Sequence, residues 1–132
     1  SADKAKELGL TPIAKILGQI SFAQSPEKFT TAPAYAIQNL LKKVNLTVND
    51  LDLVEANEAF AVQACAVNQI AGLDSSKVNV NGGAVAIGHP IGASGARILT
   101  TLVHAMKNRN AKRGLATLCI GGGEASAMIT NG

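Results

Sequence analysis

Three residues stand in settings that suit chemistry: His89, Cys119 and Asn57. His89 lies in a glycine-rich passage, Gly88-His89-Pro90-Ile91-Gly92-Ala93-Ser94-Gly95. Small neighbours there let backbone and substrate approach an imidazole that changes charge near neutral pH. A histidine in such a loop is either a general base or a structural residue, and spacing alone does not separate the two. Cys119 precedes Gly121-Gly122-Gly123, whose backbone N–H groups can point into a cavity and hold an oxyanion. Otherwise a buried cysteine is a small hydrophobe. Asn57 opens Asn57-Glu58-Ala59-Phe60 and suits either a fixed hydrogen-bonding role or the N-cap of the helix that follows. Cys65 sits in an apolar stretch and reads as packing. The passage 88–95 matches neither G-x-G-x-x-G nor G-x-x-x-x-G-K-[ST], which argues against nucleotide cradling. No C-x-x-C pair or His-rich tract supplies the ligands of a structural zinc, so no metal site is expected.

The elements that must position these residues are legible from pattern. A short helix over 1–7 ends at Leu8-Gly9, and 12–20 reads as a mostly buried strand with Pro12 at its edge. Thr30 or Thr31 caps a helix from Pro33 to about Lys43, in which Ile37, Leu40, Leu41 and Val44 share one face. The alternation over 51–55 predicts a strand with Asn57 just past its end. Residues 58–71 are apolar almost all round, which predicts a deeply buried helix stopped by Gly72. A brief strand over 78–80 leads to the glycine-rich passage and a third helix. Ile98, Leu99, Leu102, Val103 and Met106 form its apolar face, with Arg97, Thr101, His104 and Asn108 opposite and His104 towards solvent. Strands over 115–120 and 125–130 make a hairpin across 121–124. The order βαβαβαββ predicts an α/β layered domain over residues 1–132: a mixed five-stranded sheet covered by helices, with parallel crossovers and an antiparallel last strand. In such sheets sites gather at the carboxyl ends of strands, where Asn57, the His89 loop and the Cys119 turn all fall.

Composition narrows the class. The chain has 132 residues, a net charge of +3 and only 16% charged residues, against about 25% in an average soluble chain. With 3% aromatics and no tryptophan it lacks both the clustered cations and the stacking platforms of a nucleic-acid binder. No apolar run is long enough to span a membrane and no signal pattern opens the chain, so a cytoplasmic protein is expected. Two cysteines make no disulfide scaffold. An apolar fraction of 47% with 13 glycines predicts a partner domain or subunit over part of the surface. Ser1 in place of an initiator Met points the same way, to a piece of a longer chain.

Three blocks together resemble the active-site blocks of the thiolases, the acetyl-CoA C-acyltransferases. They are Asn57-Glu58-Ala59-Phe60-Ala61, then Asn81-Gly82-Gly83-Ala84-Val85-Ala86-Ile87-Gly88-His89-Pro90-Ile91-Gly92-Ala93-Ser94-Gly95, then Cys119-Ile120-Gly121-Gly122-Gly123. They occur in the family's order, and the likeness covers essentially the whole chain but only the C-terminal half of a thiolase. The resemblance implies roles residue by residue. His89 would activate a nucleophilic cysteine and later help hold the thioester oxygen. Cys119 would be the acid and base that moves the α-proton of the acetyl unit. Asn57 would hold a water completing an oxyanion hole with His89, the Gly121 N–H would belong to a second hole, and Phe60 would line the acyl pocket. Such chemistry needs an acyl acceptor thiol, a base and donors for two oxyanions, and a thiol serves as the base only if neighbours lower its pKa.

The resemblance also implies what is absent. The family's acylated cysteine lies in the N-terminal half, in a motif that neither Cys65 nor Cys119 matches, and that half also carries most of the coenzyme A site. The chain alone is therefore expected not to turn over. Its implied partners are the missing N-terminal half, acyl-CoA thioesters as substrates rather than cofactors, and further copies in a homo-oligomer. Fatty acid metabolism is the implied setting. Gly123-Glu124-Ala125-Ser126 departs from the commoner Gly-Gln-Gly ending, while Phe29-Thr30-Thr31-Ala32-Pro33 is similar to bacterial acetoacetyl-CoA thiolases and favours a short-chain substrate. Two other readings compete: a ketoacyl synthase-like condensing enzyme, and a non-catalytic domain that binds acyl-CoA or only pairs with partners.

Overall fold

Hydrogen bonding in the computed structural model, which describes residues 1–132, builds one sheet from strands β1 (Lys15–Ala23), β2 (Leu53–Ala56), β3 (Arg113–Ile120) and β4 (Glu124–Asn131), in the order β1-β4-β3-β2. β3 and β4 form the expected hairpin, turning through Gly122 and Gly123, both at positive φ. β1 pairs antiparallel with β4, and β2 pairs parallel with β3. The Asp52 carboxylate accepts the Lys112 and Arg113 N–H groups at 2.8 and 2.9 Å and aligns the two parallel strands. Those bonds, the Arg113 one foremost, hold its pKa below the usual aspartate value.

Five helices accompany the sheet: α1 (Ala2–Glu7), α2 (Ala32–Lys43), α3 (Ala61–Ala71), α4 (Ala84–Ile87) and α5 (Ser94–Arg109). Along a strand successive side chains alternate between faces, so Val54 and Leu115 join α2 and α3 in one core, while Leu53 and Ala116 join α5 in the other. α2 starts with Pro33 in its first turn and buries Ile37, Leu40 and Leu41, as its periodicity predicts. Thr31 stands at its N-cap, but the hydroxyl turns away to donate to the Lys28 carbonyl. Gly18 lets α2 sit close to β1, since a Cβ there would run into Val44. α5 buries Ile98, Leu102, Ala105 and Met106 over β2 and β3 and leaves His104 exposed.

Five expectations are corrected. The sheet has four strands, not five, because Asn79 adopts a left-handed conformation (φ 48) and leaves only an isolated Val54–Val78 bridge. Its carboxamide takes the next strand's place, accepting from Ala56 N at 2.9 Å and donating to Ala56 O at 2.8 Å. The first strand starts at Lys15 rather than Pro12 and is exposed or half-buried, since as an edge strand it has one neighbour. α3 starts at Ala61 rather than Glu58 and buries one narrow stripe, Gln63, Val67 and Ala71. Its other apolar side chains face outward: Val62 is 76% exposed, and Cys65, read as packing, is exposed too. Asn57 does not cap α3, whose N-cap position is Phe60 without a side-chain bond. Leu8, Leu10, Ile13, Ile16, Val85, Ile87 and Ile91 are likewise exposed. No helix is long and apolar enough to cross a membrane.

Candidate active site

Asn57 and Cys119 are delivered by neighbouring parallel strands. Asn57 extends the β2–β3 ladder by one bond, its N–H donating to the Thr117 carbonyl at 2.9 Å, and Cys119 lies two residues further along β3. His89 comes from the loop between α4 and α5 and meets Asn57, whose Nδ2 is 3.4 Å from Nε2 and 3.5 Å from Nδ1 of the ring. Glu58 fixes the approach to that loop: its carboxylate accepts from Asn79 Nδ2 and from Val85 N at 2.9 Å each.

A cleft of about 340 Å³ collects His89, Cys119, Gly121 and Phe60, with Phe29, Ile91 and Leu118 as further apolar walls. Phe29 and Phe60 meet edge to face, with ring centroids 6.4 Å apart. Asn57 does not line this cleft; at 2% exposure it stands behind His89. The sequence thus names four of the cleft residues, and the structure adds the other apolar walls.

The hydrogen bonds around Ser94 favour one tautomer of His89. With the Ser94 hydroxyl donating its single hydrogen to the Pro90 carbonyl at 3.0 Å, its oxygen accepts from His89 Nδ1 at 2.6 Å. Neutral His89 then carries its proton on Nδ1, and Nε2, with Asn57 Nδ2 at 3.4 Å, is the ring's acceptor nitrogen. Ser94 is fully buried, which fixes the ring against the start of α5. Spacing places Ser94 in the glycine-rich passage without revealing this role.

Cys119 runs against expectation in one respect. Burial pushes its thiol pKa up, outweighing a lowering contribution from its own backbone. Sequence reasoning asks for neighbours that lower it, and this chain does not achieve that.

Behind the cleft lies a buried acid. Glu55, 1% exposed on β2, has its pKa raised by desolvation to about 7, with Arg97 opposing the rise and Glu58 adding to it. The folded state thus keeps a proton that the unfolded chain releases near the ordinary value of 4.5. Between these values the folded state binds more protons, so stability is full below the lower value and falls as pH rises through about 7, by about 3 kcal/mol in all. Glu55→Gln is expected to remove this fall in urea titrations made on either side of the window. The same fall in both chains would show that Glu55 is not its source.

Comparison with known proteins gives the family. The family described as "Thiolase, C-terminal domain" matches residues 10–132. The chain is 61% identical over 125 residues to an acetyl-CoA acetyltransferase of Thiocystis violacea, covering 95% of this chain and 32% of that protein. It is 59% identical over 128 residues to one of Cupriavidus necator, covering 97% and 33%. Among solved structures, the Bacillus anthracis acetyl-CoA acetyltransferase and the human mitochondrial 3-ketoacyl-CoA thiolase each superpose with a TM-score of 0.97 at 46% identity, covering 99% of this chain and 33% of theirs. The chain thus spans about a third of the length of these relatives. Family match, sequence identity and superposition together show that it belongs to the thiolases, as a thiolase C-terminal domain.

Proposed function

We propose that this chain is the proton-transfer and oxyanion-binding part of an acyl-CoA:acetyl-CoA C-acyltransferase, acting in the condensation or thiolysis of 3-ketoacyl-CoA, with acetoacetyl-CoA as the preferred product or substrate. One observation carries the reading: His89, Cys119 and Gly121 converge on a single apolar cleft, with Asn57 fixed behind the histidine. In the condensing direction, a cysteine supplied by the missing N-terminal part loses its proton to His89 Nε2 and takes an acyl group from one thioester, releasing the coenzyme A thiol. His89 returns the proton to the departing coenzyme A sulfur, and Cys119, having given its thiol proton to solvent in the assembled site, removes an α-proton from acetyl-CoA. The carbanion attacks the acyl-enzyme carbonyl, a carbon–carbon bond forms, and the nucleophilic cysteine leaves as thiolate. A water held by Asn57 together with His89 binds one oxyanion and the Gly121 N–H belongs to the hole for the other, a contribution worth several kcal/mol where such donors are preorganised. Phe60 and Phe29 wall the acyl side of the cleft and favour a short chain.

The reading extends to assembly and setting: full-length chains form a homo-oligomer and work in the cytoplasm in fatty acid metabolism, with coenzyme A thioesters as substrates and no resident cofactor. The exposed apolar side chains of α3 and of residues 85–91 support a covering partner. The isolated chain lacks the nucleophile and is expected to be inactive. Brief incubation with acetyl-CoA followed by intact-mass measurement tests this directly, and no acetyl adduct is the expected result. A stoichiometric adduct on Cys119 or Cys65 would overturn these roles, because the domain would then start the reaction by itself.

A further inference from the structure

Arg97 is the residue whose position its spacing conceals. A helical wheel sets it opposite the apolar face of α5, yet its side chain is only 17% exposed and turns inward. Its Nη2 donates to Asn57 Oδ1 at 3.2 Å, and Nη1 lies 3.9 Å from Glu55 Oε2. Nε and Nη1 have no hydrogen-bond partner, nor has either Glu55 oxygen, so the guanidinium's hydrogen bonding is directed at Asn57, while Glu55 acts on it through charge only when ionised. An asparagine amide has an acceptor end and a donor end. With Oδ1 held by Arg97, Nδ2 must face the His89 ring, as observed. We infer that Arg97 is a positioning residue of the active site, orienting the Asn57 amide towards His89, and that Glu55, when ionised, is its buried counter-charge. The inference rests on the roles proposed above for Asn57 and His89, but the geometry makes its own demand: without the Arg97 bond nothing in the structure holds Asn57 Oδ1, and the amide is free to turn.

The competing explanation is that Arg97 merely neutralises Glu55. Removing one partner would bury an uncompensated charge and endanger the fold, whereas replacing both is tolerated far better. The test is therefore Arg97→Met/Glu55→Gln in the isotopically labelled 132-residue chain, read by NMR at the Asn57 side-chain amide and the His89 ring nitrogens. The expected result is a folded chain whose Asn57 amide protons exchange with solvent about tenfold faster, as the loss of one net hydrogen bond implies, and whose His89 nitrogen shifts move away from their parent values. Parent exchange and parent ring shifts in the double variant would overturn the inference and leave Arg97 as a counter-ion. Should the double variant fail to fold, Arg97→Lys decides on the same signals. It keeps the charge beside Glu55 but loses the planar fork, so faster Asn57 exchange supports positioning and unchanged exchange overturns it. Neither signal depends on turnover. An acetyl adduct on Cys119 would therefore sink the proposed function without moving them, and their failure to move would sink this inference alone.

Discussion

Cys119→Ala is expected to slow exchange of the α-protons of acetyl-CoA with solvent by roughly a thousandfold, in an enzyme reassembled from this chain and the N-terminal part of a thiolase. General base catalysis by a positioned side chain is worth about two to four orders of magnitude, and alanine cannot accept a proton. The buried thiol, with its pKa raised by desolvation, makes the requirement sharper. This domain presents the sulfur at the end of β3 without ionising it, so the reassembled site must contribute the missing charge stabilisation. Two measurements check this. Proton exchange followed by mass or NMR should collapse in the variant, while acylation of the partner's cysteine should survive. Retained exchange would turn the reading towards a ketoacyl synthase-like condensation, in which other groups handle the proton. Coenzyme A retention without any condensation or thiolysis in the parent reassembly would instead favour a binding domain.

Gly123→Ala is expected to destabilise the fold by about 4 kcal/mol, the sum of a strained backbone and an unavoidable collision. Gly123 has φ 93, a conformation that L side chains rarely adopt, and a Cβ would be driven into the Gln24 carbonyl. That carbonyl belongs to backbone, and Gln24 N–H in turn donates to Gly123 O at 2.9 Å, so neither side can yield easily. A denaturation midpoint measured beside Gly92→Ala is the check. Gly92 has open space and no positive φ, so its substitution should cost little. Equal midpoints for the two variants would show that the turn relaxes freely. The same collision would displace the turn that carries Gly121, so catalytic loss should accompany whatever stability is lost.

How much of this was legible in the chain depended on how local the cause was. The face of α2 follows from Ile37, Leu40 and Leu41, the hairpin from the glycines at 121–123, and the gathering of Asn57, His89 and Cys119 from their places at strand and loop ends. Long-range causes stayed hidden. Asn79 ends a promising strand because its side chain replaces the next peptide group, which no local pattern reveals. The all-apolar α3 reads as buried, yet only every fourth residue meets the core, since apolarity does not distinguish a core from a surface awaiting a partner. Arg97 is hidden for a different reason. Its backbone position lies on the polar side of α5, and a long side chain reaches a target that only the folded sheet supplies.

The order β1-β4-β3-β2 carries a consequence for how the molecule forms. β4 is the last strand in the chain and an interior strand of the sheet, with Lys15 at one edge and Arg113 on the other side both paired to Asn131. β1 therefore has no partner until β4 is made, and closing the sheet joins Lys15 to Asn131. Loops of that length slow folding and leave strands exposed while they wait. Translation can build α2, β2 and α3 early, but β3 and β4 follow one another closely, and β4 acts as the keystone, inserted between β1 and β3.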